Sequence, residues 1–219
     1  MMERKILPGS LTKKMTVPFF RPALQVQKIL AAEKPGWAIP LIAYLAAGAL
    51  QAGMAERYRG IESQLDVNPA GILFTAVGAA VGILLFWLVE SEVFNILLLL
   101  NGGRTSINQV KALTAWAFFP FVLRELERSV YMLATGRAIL YPGLSAAAGP
   151  AETFGGIWLQ SALGQLDVFF CWHLVLILIA AKAVLGKNKA GLMAAIIFGL
   201  LGWVLLEGAV LAGFSLLTQ

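Results

Sequence analysis

Long apolar segments with few polar interruptions dominate this chain. A helix needs about 20 apolar residues to cross a hydrocarbon core about 30 Å thick, because each residue advances about 1.5 Å. Five segments reach or approach that length: residues 37–55, 70–100, 107–135, 163–185 and 190–217. The pattern predicts an all-α, polytopic membrane protein, with a five-transmembrane-helix bundle over residues 37–219.

Residues at the segment ends are typical of helix starts. Asn68 precedes Pro69, which suits an N-cap followed by proline at the first helical position. Thr105 or Ser106 is the candidate cap of the third segment, and Asp167 is a candidate N-cap of the fourth. The connection 136–156 is rich in Gly, Ala and Pro, and is predicted to be an external or partly re-entrant loop.

The first 36 residues lack a continuous apolar core and are predicted to form a cytosolic arm. Within them, residues 22–33 place Val26, Ile29 and Leu30 at helical spacing, which predicts an N-terminal amphipathic interfacial helix. The alternative is a flexible tail.

Composition and charge agree with a membrane location. Hydrophobic residues make up 59% of the chain and charged residues only 13%, which excludes an ordinary water-soluble domain. Twelve Lys and Arg residues lie on one side of the predicted spans and three on the other. This asymmetry places the N-terminus in the cytosol and the C-terminus outside. The net charge of +5 is therefore a topology signal and predicts contact with anionic lipids rather than nucleic acid.

Small residues follow one face of the second span. Gly71, Thr75, Gly78 and Gly82 are three to four residues apart. Such stripes let helices approach closely in lipid, either within a bundle or between two copies. We expect packing within the bundle.

Glu90 and Glu92 interrupt the second span. Glu90 lies about 31 Å along the helix from Pro69, near the predicted cytosolic interface. It either marks the exit from the membrane or is a buried carboxylate that faces the bundle.

The third span carries four charged residues, two on each side of one leucine. The spacing i,i+3 predicts an Arg124–Glu127 pair and a Glu125–Arg128 pair. These residues are either self-neutralised charge at the outer interface or the lining of a polar cavity or docking surface.

The remaining charges lie in the last two spans. His173, the single histidine, is either a hydrogen-bonded packing residue or a ligand, and Glu207 is expected to be buried and protonated or paired with an Arg of the third span. No spacing indicates a metal or cofactor site, and no catalytic residue is predicted. The candidate functional residues are therefore Glu90, Glu92, Arg124, Glu125, Asp167, His173 and Glu207.

Three stretches resemble a known family. They are RPALQVQKILAAEKPGWAIPL, NGGRTSINQVKALTAWAFFPFVL and LDVFFCWHLVLILIAAKAV, in this order. Together they resemble the Yip-domain family, the Ypt-interacting-protein (YIPF) membrane proteins, from about Phe20 onward. The residues that carry the resemblance are Gly102, Gly103, Ser106, Pro120, Asp167, Phe169 and Trp172, and none of these motifs is catalytic.

The resemblance implies five spans, a cytosolic N-terminus and a role in membrane organisation or trafficking. It implies membrane lipids, other membrane proteins or further copies of the chain as partners. Eukaryotic members occupy endoplasmic-reticulum and Golgi membranes and associate with Rab-type GTPases. The short arm here argues against Rab binding and predicts a prokaryotic plasma membrane.

Three functions are compatible with the sequence. The first, which we expect, is a non-enzymatic membrane scaffold or partner-binding protein. The second is a transporter or channel for an ion, metal or lipid that uses the intramembrane charges. The third is an intramembrane enzyme, which lacks a nucleophile–base pair in the sequence.

Overall fold

The computed structural model describes residues 21–62, 68–139, 142–148, 153–186 and 190–217, without some side chains of the last helix, that of Glu207 among them. The described part is helical and contains no strand, which confirms the all-α prediction. The helices are α1 (Pro22–Ala31), α2 (Ala38–Glu62), α3 (Pro69–Leu100), α4 (Ile107–Ala117), α5 (Phe119–Thr135), α6 (Phe154–Gln165), α7 (Val168–Leu185) and α8 (Ala190–Leu217).

Helix α1 packs against the bundle. Its Val26 and Ile29 are buried, and the helix contacts α4 and α7. The side-chain amide of Gln109 donates to the Leu30 carbonyl at 2.8 Å. A helix is therefore present in this part of the arm, while its amphipathic, interfacial character stays a prediction.

Helices α2 and α3 form the most extensive helix pair of the described bundle. Gly48 allows this approach, because a Cβ there would overlap the Ile83 side chain. As predicted, Asn68 caps α3, and its side chain accepts the Ala70 N–H at 3.0 Å. Since α3 has 32 residues, it is about 48 Å long, well beyond one perpendicular crossing.

The turn from α3 to α4 depends on two glycines. Gly102 has a φ of +82°, in the left-handed region that favours glycine. The Gly103 N–H donates to the Leu98 carbonyl oxygen, and this hydrogen bond closes the turn. A Cβ on Gly103 would lie only 2.9 Å from the same oxygen. Ser106 then caps α4 in a reciprocal capping box with Gln109, which decides between the two predicted caps.

The predicted third span is two helices rather than one. Pro120 has no N–H to donate, and its ring is incompatible with a continuous α-helix at this point. The N–H of Phe121 donates to the Phe118 carbonyl at 2.9 Å, one residue later than in a continuous α-helix. Helix α4 therefore ends at Ala117, and α5 begins at Phe119.

The segment before the fourth span contains a helix, α6, that the sequence pattern does not predict. Thr153 caps it, and its Trp158 indole donates to the Leu205 carbonyl of α8 at 2.7 Å. Upstream, Gly143 packs so closely on the end of α6 that a Cβ there would lie 2.7 Å from the Gly164 carbonyl. The stretch around Gly143, which belongs to the predicted loop 136–156, is thus folded against the end of α6.

Three helices of the described part are long and apolar enough to span a membrane: α2, α3 and α7. Helices α4 and α5 fall short individually because Pro120 divides them. The count of five spans therefore stays a prediction.

Candidate functional site

Two groups of titratable side chains lie buried or half-buried inside the bundle. We name Glu90 and His173 the dyad, and Arg124, Glu125, Arg128 and Asp167 the charged cluster. Glu90 is 7% exposed, Arg124 6%, Glu125 5% and His173 0%. Glu90 is therefore a buried carboxylate that faces the bundle, and Arg124 and Glu125 of α5 also face its interior.

His173 occupies the gap that the helix break creates. Its Nδ1 lies 2.9 Å from the carbonyl oxygen of Ala117, the last residue of α4. A carbonyl oxygen only accepts, so Nδ1 is the donor and carries a hydrogen. The aromatic rings of Phe118 and Phe121 lie 5.2 and 4.7 Å from the imidazole and fix its plane.

The second nitrogen of His173 faces Glu90. Nε2 lies 3.1 Å from Oε1 of Glu90, within hydrogen-bond distance, but the alignment is outside hydrogen-bond geometry. Nε2 and both carboxylate oxygens are buried and have no hydrogen-bond partner among the described residues. Buried polar atoms without partners are costly and uncommon, and the described residues have two more, Thr105 Oγ1 and Trp116 Nε1. In the dyad, three such atoms, two of them from a carboxylate, lie together.

The charged cluster is, by contrast, paired throughout. Arg124 Nε donates to Oε1 of Glu125 at 2.8 Å, and its Nη1 lies 3.3 Å from Oε1 of Gln165. Arg128 Nη2 lies 3.4 Å from Oδ2 of Asp167. Asp167 also caps α7, because its Oδ1 accepts the Phe170 N–H at 2.9 Å, as predicted. The cluster therefore ties α5 to the junction of α6 and α7.

One of the two predicted ion pairs is correct. Arg128 Nη1 lies 3.8 Å from Oε2 of Glu125, which confirms that i,i+3 pair. The predicted Arg124–Glu127 pair is wrong. Residues three apart are neighbours on a helix, but the Arg124 guanidinium is held inside the bundle by Glu125 and Asp167, whereas the Glu127 side chain is exposed.

Phe121 connects the two groups. The Arg124 guanidinium carbon lies 4.6 Å from the centre of its ring, and the same ring stacks on His173. Cations are attracted to aromatic faces. The dyad and the charged cluster are therefore separated by one side chain, although the depth counts from sequence place Glu90 and Arg124 at opposite ends.

Cavities adjoin both groups. A cavity of about 460 Å³, which we name the central cavity, has polar residues in its wall, namely Gln51, Thr75, Arg124, Glu125, Arg128 and Gln165. A second cavity of about 370 Å³ lies beyond Arg124 and Arg128, next to Asp167. A pocket of about 60 Å³, the Glu90 pocket, contains Glu90 among apolar side chains. Phe86 lines both the central cavity and the Glu90 pocket, so its side chain borders both spaces.

The small-residue face of α3 forms part of the central cavity wall. Thr75, Gly78 and Gly82 line it. No atom from another described element lies within 4 Å of where a Cβ on Gly78 or Gly82 would be. The expectation that these two glycines pack helices together is therefore wrong, since their missing side chains leave space instead.

The other candidate residues lie outside this site. Glu92 is half exposed, 4.0 Å from Lys111 Nζ. The side chain of Glu207 lies outside the described residues. Phe169 lines the 370 Å³ cavity, and Trp172 meets Phe119 edge-on at 6.3 Å. Of the motif residues, Gly102, Gly103 and Ser106 serve the α3–α4 turn.

The described residues contain no group of three or more His, Cys, Asp or Glu side chains that could hold a metal ion. Sequence reasoning missed Phe86 and Gln165. An apolar residue in an apolar span gives no sign that it borders two cavities. Gln165 stands at the end of a helix that was not predicted.

The chain matches the Yip1 domain over residues 18–208. Neither a curated protein nor a solved structure matches it.

Proposed function

Because this chain belongs to the Yip1 domain family, we propose that it is a five-span integral membrane protein that transports an ion or a small polar solute through its helix bundle. The observation that carries the proposal is the central cavity, which is lined by charged side chains and shares Phe86 with the wall of the Glu90 pocket. The family is not a known enzyme family, and we propose no reaction.

The proposed topology gives the cavities an order across the membrane. With the N-terminus in the cytosol, α3 runs from the outside inward. Thr75, Gly78 and Gly82 then lie in the outer half, and Glu90 lies closer to the cytosol. The crossings would be α2, α3, the α4–α5 pair, α7 with α6 at its outer end, and α8.

The chemistry of the central cavity suits a hydrated solute. Polar groups inside a membrane protein face protein or water, because exposure to hydrocarbon is costly. Paired arginines and carboxylates leave no large net charge in the wall, so the cavity accepts water and solutes of either sign. We expect passage further inward to require movement of Phe86, because its side chain borders both spaces.

Cysteine accessibility tests the central cavity. In a Cys171→Ala background, which removes the single native thiol, Gly78→Cys should react with a membrane-impermeant thiol reagent added from outside. Val77→Cys is the matched control, because Val77 is an adjacent, outward-facing residue of α3. Equal protection of both cysteines in folded protein would contradict a water-filled cavity.

Flux through proteoliposomes tests transport. Sodium, potassium and proton movements are measured separately with ion-sensitive dyes. Phe86→Ala should raise the rate for the transported ion, because it removes the barrier between the two spaces. Phe74→Ala is the control, since Phe74 is 82% exposed on the same helix. If neither the wild type nor Phe86→Ala moves any of the three ions, small-cation transport is excluded.

The scaffold function is a second candidate, favoured by family membership and by α1. This helix is fixed on the bundle and exposes Arg21 and Lys28, which suit anionic headgroups or a partner. Arg21→Gln with Lys28→Gln should reduce the amount of anionic lipid that copurifies with the protein. Unchanged lipid content, compared with an Asn108→Gln control, would contradict lipid binding by α1.

A further inference from the structure

We propose that the dyad is a proton-binding site, in which Oε1 of Glu90 and Nε2 of His173 hold one proton between them. In addition, this proton is the transported ion or is coupled to the transported solute. This additional part rests on the proposed function.

The hydrogen-bond partner of Nδ1 fixes the chemistry of the site. Since Nδ1 donates to the Ala117 carbonyl, a neutral His173 has its lone pair on Nε2. Pro120 causes this arrangement, because the helix break leaves the Ala117 carbonyl available to a side chain. The imidazole is therefore held with its acceptor nitrogen toward Glu90.

Two acceptors then face each other. Nε2 and Oε1 are 3.1 Å apart, so a bond between them requires one proton, either on the nitrogen or on the oxygen. With this proton the dyad has no net charge, and without it the dyad carries one negative charge. The lack of other partners for Nε2, Oε1 and Oε2 among the described residues means that no protein donor replaces the proton.

The Glu90 pocket gives the proton a route. Its volume of about 60 Å³ has room for water, which needs about 10–15 Å³ of such space per molecule. The wall is otherwise apolar, formed by residues such as Phe94, Ile177 and Leu200, so Glu90 is the polar group that water would meet. Phe86 also lines the central cavity, so this side chain borders both spaces next to Glu90.

The charged groups around the dyad are few. The Phe121 ring lies between Arg124 of α5 and the imidazole of His173. Tyr44 of α2 stacks on Phe121 and meets Phe118 edge-on. On α4, Lys111 lies near Glu92 of α3. The segment 191–202 of α8 contains no titratable residue, and Lys182 of α7 is exposed. Within the described part of the chain, none of these side chains forms an ion pair or a hydrogen bond with Glu90, so the proton between the dyad atoms is the remaining counter-charge.

The single histidine makes the site directly observable. Protein labelled with ¹⁵N-histidine, purified without a polyhistidine tag and placed in nanodiscs, gives imidazole signals from His173 alone. We expect Nδ1 to carry a hydrogen at every pH at which the protein is folded. We expect Nε2 to change between a proton-bearing or proton-sharing state and a bare state in one titration step.

Three variants show whether Glu90 shares this proton. In Glu90→Gln, the amide can donate to Nε2, so we expect the titration step of Nε2 to be lost. Glu90→Asp keeps the carboxylate and should keep the step. Glu92→Gln, two residues away on α3, should leave the wild-type titration unchanged. Identical Nε2 titrations in wild type and Glu90→Gln, or a hydrogen on Nε2 with a bare Nδ1, would overturn the proposal.

Flux measurements separate this proposal from the proposed function. If the dyad carries the coupling proton, flux in Glu90→Gln no longer responds to a pH gradient, while Glu92→Gln responds as the wild type does. A normal Nε2 titration without any flux would contradict transport but support the proton site. Flux that keeps its response to the pH gradient in Glu90→Gln would overturn the coupling role.

Discussion

Glu125 and Glu90 are two carboxylates that differ in partners rather than in burial. They are 5% and 7% exposed, and each has a basic side chain within 3.1 Å. Glu125 accepts from Arg124 and lies near Arg128, within a cluster in which each charge faces an opposite one. Glu90 meets only the Nε2 atom of His173 among the described polar groups, in poor alignment.

The difference distinguishes a structural group of charges from a functional one. A buried charge whose partners are satisfied holds elements together, and removing one partner leaves the others uncompensated. A buried carboxylate without donors lowers stability unless something binds to it. The charged cluster therefore belongs to the framework of α5, α6 and α7, and the dyad is the site at which a ligand is expected.

The largest predicted effect is the loss of the charge on Glu125. Glu125→Gln leaves Arg124 and Arg128 with Asp167 as the remaining acid of the cluster, so we expect the free energy of unfolding to fall by about 3 kcal/mol. Unfolding in mixed detergent micelles, followed by tryptophan fluorescence, measures it.

Glu127→Gln is the matched control, because Glu127 is an exposed carboxylate two residues along the same helix. Its effect should stay within about 0.5 kcal/mol, as for most surface substitutions. Equal effects of the two substitutions would mean that the cluster does not support the fold.

The second prediction separates the two roles of Asp167. Asp167→Asn removes the charge but keeps an oxygen that can cap α7, whereas Asp167→Ala removes both. We therefore expect Asp167→Ala to be less stable than Asp167→Asn by about 1 kcal/mol. If the two variants unfold at the same denaturant concentration, the cap contributes nothing and Asp167 acts through charge alone.

The local features of the fold were predictable from sequence. The caps at Asn68, Ser106 and Asp167 follow from short-range geometry, because the side chain bonds an N–H two or three residues later. The all-α class follows from long apolar segments. Pro120 was visible within its span, but a proline can either kink a helix or end it. Whether the helix kinks or ends at Pro120 depends on how the bundle packs. The Ala117 carbonyl is available to His173 only if the helix ends.

The candidate site was predictable only as a set of residues. Glu90, Arg124, Asp167 and His173 were selected because charge in an apolar span is costly. Their grouping depends on how α3, α5 and α7 pack, and counting residues along straight helices gave Glu90 and Arg124 opposite depths. Helix tilt and the 32-residue length of α3 make such counts unreliable, since position along the axis is not depth.

A third prediction concerns the origin of the His173 position. His173→Phe keeps an aromatic ring but leaves the Ala117 carbonyl without its donor. In a Pro120→Ala background the helix can continue, and Phe121 N–H can return to that carbonyl. The cost of His173→Phe should then fall by at least about 0.5 kcal/mol, measured as the coupling in a double-mutant cycle. Additive effects would mean that the break and the histidine are independent.

The smallest predicted effect is that of Glu90→Gln, the same substitution as at Glu125 and at similar burial. The amide supplies an N–H for the lone pair on Nε2, in place of the proton that we propose for the dyad. We therefore expect the free energy of unfolding to stay within about 0.5 kcal/mol of wild type or to rise, since neutral replacements of poorly paired buried charges are tolerated. A loss as large as that of Glu125→Gln would show that Glu90 is held by its surroundings as firmly as Glu125. The contrast between the two carboxylates, and with it the assignment of the dyad as the ligand site, would then fail.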